Sequence, residues 1–197
     1  MATVQFDSAA ERRETAVFGM WAFLATEVAF FGPLFFGYVH GRVYNHDAFA
    51  RASNHMHVVL GTVNTALLLT SSLAVALAVE AARAADARRL RRLLAFAMAL
   101  GVAFLCIKGY EYVVEWHEAV AATGAEAQFY LLYYAMTGLH ALHLAIGVAA
   151  LGWLCWRARA FGPDDYAPVE VSGLYWHFVD CVWVFLYPLL YLMERHR

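Results

Sequence analysis

Four places in this sequence set titratable side chains inside otherwise apolar runs. Glu27 lies near the middle of residues 19–38. Lys108, Glu111 and Glu115 follow at i, i+3 and i+7, a spacing that puts them on one stripe of a helix. His140 and His143 stand three apart behind Thr137, Gly138 and Leu139, and His177 and Asp180 repeat that interval. A charged group at bilayer depth costs about 2.5–3.5 kcal/mol or more on insertion scales, so each is expected to face protein or water and to have work to do.

The chemistry open to each group differs. Lys108 and Glu111 can pair across one helical turn, which offsets part of their desolvation. Two readings are open: an internal ion pair near the interface that locks helix packing, or a role in proton or lipid-headgroup binding. Two histidines at i, i+3 are compatible with metal or haem ligation, but such a site needs ligands converging from other helices and groups behind them. The other intramembrane histidine at a comparable depth is His177. His140 and His143 are therefore read as hydrogen-bonding to neighbouring helices or to lipid phosphates. His177 and Asp180 resemble an acid/base pair, yet no nucleophile has motif support and Cys181 points another way, so they are read as a buried polar clasp between helices. Asn64, Thr65, Thr70, Ser71 and Ser72 suit hydrogen bonds across helices or to their own carbonyls. No catalytic residue and no metal ligand is assigned.

The elements that position these groups are legible in the composition. Of 197 residues, 62% are hydrophobic and 15% charged, against roughly 45–50% and 25% in soluble domains, which points to a membrane protein. Five segments reach the roughly 20 apolar residues a spanning helix needs: 16–39, 58–79, 93–114, 129–156 and 174–193. The fourth is the longest and should tilt or emerge. Pro33 and Pro188 fall within the first and fifth and should bend them. The first connection (41–57) is polar and His-rich. The second is basic (Arg83, Arg88, Arg89, Arg91, Arg92), and the third acidic (Glu115, Glu118, Glu126). The fourth carries Arg157, Arg159, Asp164, Asp165 and Glu170. The whole is one transmembrane domain with no room for a soluble one. The polar first fifteen residues lack a cleavable signal pattern, so the first run should itself span. Cys106, Cys155 and Cys181 lie in apolar runs without CxxC spacing and are read as small buried hydrophobes. With the N-terminus inside, nine arginines (Arg12, Arg13, the five of the second connection, Arg157, Arg159) fall inside and four (Arg42, Arg51, Arg195, Arg197) outside. The positive-inside rule favours this orientation, with the C-terminus outside. Small-xxx-small spacing is sparse, so helix packing should rest on aromatics and polar contacts.

The motifs taken together resemble subunit III of the haem-copper respiratory oxidases. The resemblance rests on Gly19-Met20-Trp21 through Glu27-Val28-Ala29-Phe30-Phe31, on Asn64-Thr65 with Leu67 to Ser72, and on Leu100-Gly101-Val102 with Glu111-Tyr112. It extends to Thr137-Gly138-Leu139-His140-Ala141-Leu142-His143 with Gly147, and to Tyr175-Trp176-His177-Phe178-Val179-Asp180-Cys181-Val182-Trp183. Order and spacing hold over residues 17–193. The long form of that family has seven helices. This chain begins at the third and is similar to the short bacterial form, an all-α bundle of five transmembrane helices.

The resemblance implies an accessory subunit without redox centres, packed beside a catalytic subunit I that holds haem and copper. Such a subunit stabilises its neighbour through turnover, supports proton uptake and binds phospholipids. Glu27 matches the family's carboxyl-reactive interior glutamate, and Glu111, His140, His143, His177 and Asp180 match polar core positions. The ending Tyr187-Pro188-Leu189-Leu190-Tyr191-Leu192-Met193 is similar to the accessory subunit of nitric oxide reductase, which stands as the alternative. Readings of other classes are an independent proton-conducting protein centred on Glu27, and a membrane cytochrome using His140 or His143. Ala and Arg richness with a single lysine suggests a GC-rich bacterial genome and hence a plasma (inner) membrane.

Overall fold

The computed structural model describes residues 9–54, 56–163 and 165–192. Asp164, Met193, Arg195 and Arg197, which enter the loop, helix and arginine assignments above, lie outside them. The described chain runs α1 (Ala9–Tyr44), α2 (His46–Asn54), α3 (Val58–Arg83), α4 (Ala87–Ala121), α5 (Gly124–Trp156), a short 3-10 turn (Ala158–Ala160), α6 (Ala167–Tyr187) and a π turn (Pro188–Leu192). Five of these helices are long and apolar enough to cross a membrane.

Each expected span is present, and each of the first four spanning helices is longer than its apolar stretch. α1 has 36 residues, α4 35 and α5 33. At 1.5 Å per residue these reach about 50 Å, well past the roughly 30 Å of a hydrocarbon core. Apolarity stops at the bilayer edge, but helical hydrogen bonding continues through Ala-, Glu- and Arg-rich flanks that favour it. Three expectations are corrected for this reason. Arg83 belongs to α3, Arg88, Arg89, Arg91, Arg92, Glu115 and Glu118 to α4, Glu126 to α5 and Glu170 to α6 rather than to loops, α5 is not the longest helix, and the polar connection 41–57 contains α2.

Helices α3, α4, α5 and α6 close a ring in which each packs on the next, α6 returning to α3, while α1 leans from outside on α5 and α6. α1 docks through a narrow stripe, burying Leu24, Phe31 and Tyr38 at seven-residue intervals. The ring interior is filled by Trp176 and Trp183, both fully buried. Trp176 fits because Gly101 and Gly147 face it. A Cβ on Gly101 would sit 2.9 Å from the indole, and one on Gly147 3.0 Å. The cysteine reading is corrected as well: Cys106 and Cys181 are exposed on helix surfaces and Cys155 is half-buried. A five-helix bundle has more apolar perimeter than interior, so an apolar run does not place every small residue inside.

Two turns shape the ends of the bundle. Between α3 and α4, the Asp86 N–H donates to Ala81 O and the Ala85 N–H to Ala82 O, a Schellman closure with Ala85 at φ 55°. The Asp86 side chain then caps α4 by accepting from Arg89 N at 2.9 Å. At the other end, α1 runs on through Pro33, whereas Pro188 marks the change from α6 to the π turn. Lacking an N–H, Pro188 cannot continue the regular ladder. The turn is held by Tyr38, which donates to Leu189 O at 3.0 Å, and by Ser53 of α2, which donates to Leu190 O at 2.8 Å.

Candidate functional site: interior polar contacts of the bundle

The acid of α1 has a partner on α5. Glu27 Oε2 stands 3.0 Å from His143 Nε2, with both side chains mostly buried. His143 Nδ1 lies 2.8 Å from the Leu139 carbonyl, and a carbonyl can only accept, so Nδ1 carries a hydrogen. One proton is then left for the Glu27–His143 contact. It sits either on the carboxyl, which donates to Nε2, or on Nε2, which donates to the carboxylate. Tyr175 of α6 donates to the His143 carbonyl at 2.9 Å, and Phe31 covers the imidazole at 5.4 Å between ring centres. Three helices thus build a site able to hold or pass a single proton.

Lys108, the sole lysine of the chain, is enclosed more completely. Its ammonium donates to Glu111 Oε2 at 2.8 Å, to Tyr133 OH at 2.9 Å and to Tyr191 OH, so all three N–H groups are used. Tyr191 in turn donates to Glu111 Oε1 at 2.8 Å, satisfying the second carboxylate oxygen. The rings of Tyr133, Tyr191, Trp183 and Tyr112 surround Nζ at 4.7–5.6 Å. Lys108 is 2% exposed and Glu111 is fully buried, so the network stands away from solvent and joins α4, α5 and the π turn. Glu115, one turn on, is buried with no hydrogen-bond partner among the described residues.

The remaining candidates separate. His177 and Asp180 do not meet. His177 Nδ1 lies 2.6 Å from Ser72 Oγ of α3, and the buried Asp180 also faces Ser72 without either of its oxygens closing a well-formed hydrogen bond among the described residues. His140 and His143 part company too. Three residues advance a helix by about 300°, so the two imidazoles point about 60° apart. His140 sits inside the ring between Phe104 (5.5 Å) and Trp183 (5.2 Å), and neither of its nitrogens has a hydrogen-bond partner among the described residues. Asn64 is buried in the same condition. Thr65 and Ser71 accept from the indole N–H groups of Trp183 and Trp176, each at 3.0 Å. Among the described residues no group of three or more His, Cys, Asp and Glu converges as metal ligands do.

A cluster that no sequence pattern announces ties the helix ends nearest the basic turn. Glu170 of α6 accepts from both Nε and Nη2 of Arg13, the latter at 2.9 Å, and from Arg83 Nη2 at 3.2 Å. Both guanidiniums also lie over the Tyr166 ring, at 5.1 and 5.2 Å. Glu170 and its two arginines are 70 to 157 positions apart, and no local spacing joins the three. Tyr133 and Tyr191 escape notice for the same reason, since in the sequence they are two aromatics among many.

The sequence model of the family described as cytochrome c oxidase subunit III matches residues 2–194. The chain is 30% identical over 195 residues to cytochrome c oxidase subunit 3 of Thermostichus vulcanus, covering 98% of this chain and 94% of that one. It is 34% identical over 199 residues to cytochrome c oxidase subunit 3 of Bacillus sp. (strain PS3), covering 95% and 93%. It is also 32% identical over 187 residues to a heme-copper oxidase subunit I+III of Aeropyrum pernix, covering 88% of this chain and 22% of that much longer one. With a match that runs almost from end to end, the chain belongs to the cytochrome c oxidase subunit III family.

Proposed function

We propose that this chain is the non-redox accessory subunit of a respiratory haem-copper terminal oxidase in a bacterial inner membrane, with its N-terminus inside. Haem and copper reside in the partner catalytic subunit I. The complex reduces oxygen to water with proton translocation, and this chain stabilises the catalytic subunit, supports proton uptake and holds phospholipid. The observation that carries the reading is the family match over residues 2–194. The relative named as a fused subunit I+III supports a direct contact with subunit I, because fusion of two chains is tolerated when their folded parts lie side by side.

The proton-linked role is assigned to Glu27 and His143 together, since their contact holds one exchangeable proton between two mostly buried groups. Lys108 and Glu111, with Tyr133 and Tyr191, are assigned to interhelical packing, because every donor on the ammonium is already used inside the protein. His140, His177 and Asp180 are assigned to interhelical contacts of the ring.

Mild purification of the tagged chain, followed by mass spectrometry of what comes with it, tests the assignment. A haem-copper oxidase subunit I is expected. Co-purification of a nitric oxide reductase catalytic subunit would move the chain to that complex, and a Soret band in the isolated chain would overturn the non-redox reading.

A further inference from the structure

One buried cation stands beside two buried acids. Lys108 spends its three N–H groups on Glu111, Tyr133 and Tyr191, and Glu111 has its two oxygens filled by Lys108 and Tyr191. Glu115, one turn further along α4, is 4% exposed and receives none of those donors. Lys108 and Glu111 already cancel. A carboxylate at Glu115 would give the enclosed cluster a net negative charge, which surroundings of low dielectric penalise, and a proton on the carboxyl removes that cost.

Tyr133 makes the ionised state reachable as well. Its hydroxyl accepts from Lys108, so its own hydrogen points elsewhere. The Tyr191 oxygen, at 3.5 Å, is too far for a strong bond, and Tyr191 gives its own hydrogen to Glu111. Glu115 faces the Tyr133 hydroxyl and can take that hydrogen once it is charged. Tyr112 and Tyr134 also stand near Glu115, with their hydroxyls engaged by Thr137 and by the Tyr112 carbonyl.

A way out lies on the same stripe of α4. Glu118 follows Glu115 by three residues and lines a hollow of about 280 Å³ with Arg51, Glu126 and Tyr130. The Arg51–Glu126 pair in its wall, 2.8 Å apart, is largely exposed, so the hollow borders solvent. Tyr130 is 5% exposed, lines the hollow and lies within electrostatic reach of Glu115, Glu118 and Glu126. Its phenol is thus set between the buried carboxyl and the open end of the bundle, where α4 stops and α5 starts, opposite the basic turn. Tyr133 precedes His143 by ten residues of α5, about 15 Å along the helix, so this place is separate from the Glu27–His143 contact.

We propose that Glu115 is a second proton-exchange site, a carboxyl that is neutral beside the Lys108–Glu111 pair and trades its proton with water at the end of the bundle opposite the basic turn, by way of Tyr130. In the releasing step the Glu115 O–H bond breaks and the proton passes to water in the hollow and on to the Glu118 carboxylate. The carboxylate left behind accepts from Tyr133 and faces the Lys108 ammonium, and reprotonation retraces the path. The site goes beyond the role given to Glu27 and His143, since it shares no residue with them and opens at the end away from the basic turn.

Infrared spectra of the full chain in phosphatidylcholine nanodiscs, taken in H2O and in D2O at neutral pH, test this. The wild-type minus E115Q difference is expected to hold one protonated-carboxyl C=O band, and the same band is expected when both chains also carry E27Q and D180N. Transfer to D2O should lower its frequency. Y130F should slow that change by about tenfold or more while leaving the melting temperature in place, an effect that a packing role for Tyr130 would not give. E115D keeps a carboxyl and is expected to keep a band at an altered frequency, which separates loss of the group from a change of fold. Carboxylate bands in place of the carboxyl band would show Glu115 ionised and overturn the proposal. A band that does not respond to D2O would overturn it too, and an unchanged exchange rate in folded Y130F would overturn the route through the hollow.

Discussion

Glu27 Oε2 stands 3.0 Å from His143 Nε2, joining the one spanning helix outside the ring to a helix of the ring. The imidazole is aimed by its other nitrogen, which donates to Leu139 O. A carboxyl that in sequence is alone among Val, Ala and Phe is thus half of a bond that shares a proton. α1 docks through only a narrow stripe of buried side chains, so this contact also sets its register against α5.

Replacing Glu27 by Ala is expected to leave assembly largely intact, because Leu24, Phe31 and Tyr38 still bury the α1 stripe. It should change the decay of activity over many turnovers, or the pH dependence of proton uptake. His143→Gln should change the same readouts in the same direction, since either substitution removes the shared proton. Decay curves that superimpose on wild type for both variants would reduce the pair to packing.

Lys108→Met should be strongly destabilising, by about 3–5 kcal/mol, because it leaves Glu111 charged and buried without its cation. Removing both charges together, as Lys108→Met with Glu111→Leu, should cost distinctly less than Lys108→Met alone. Thermal unfolding in detergent measures both. Equal losses in the single and double variants would contradict a cost that comes from leaving Glu111 without its cation.

Gly101→Ala is expected to destabilise by about 1–3 kcal/mol, since the added methyl would sit 2.9 Å from Trp176 and the closely packed ring must shift to admit it. Gly109→Ala on the same helix, where nothing lies within 4 Å, serves as the control and should be neutral or mildly stabilising. Comparing the two melting temperatures tests whether the indole sets the spacing of α4.

Ala85→Gly should stabilise the chain by about 1 kcal/mol, as Ala85 holds φ at 55° in the turn between α3 and α4. Glycine adopts that region without a Cβ penalty. A lower melting temperature would mean that the gain is outweighed by entropy of the unfolded chain.

Glu170→Gln should free the start of α1 from the ends of α3 and α6. Both arginines are more than a third exposed, so solvent screening limits the effect to about 1 kcal/mol even with a bidentate contact. Hydrogen exchange in the first turns of α1 should speed up by about fivefold, with little change in the ring helices, and high salt should shrink the difference. Uniform acceleration across the ring would contradict a local role.

The class of the protein and its cast of polar residues are readable along the chain. Runs of about 20 apolar residues can only be spanning helices, because lipid offers no partner for an open backbone, and this holds whatever the helices pack against. The intramembrane polar residues are likewise legible, because each is costly enough to stand out from its run. Even the Lys108–Glu111 pair can be drawn from one helix, since i, i+3 neighbours meet without help from the rest of the chain. Partnerships between helices have no such local signal and come from the packed bundle. His177 follows the same spacing rule toward Asp180 and instead finds Ser72, because the packing of α6 on α3 brings that hydroxyl within reach of the imidazole. Glu27 meets His143, while the nearby His140 faces two aromatic rings, a difference made by about 60° of helix rotation. The grouping of Glu170 with Arg13 and Arg83, and of Tyr191 with Lys108, likewise needs the bundle. Periodicity tells which face of a helix is polar, but which face meets which is set by the packing of the other helices and by a π turn whose cause lies in a single proline.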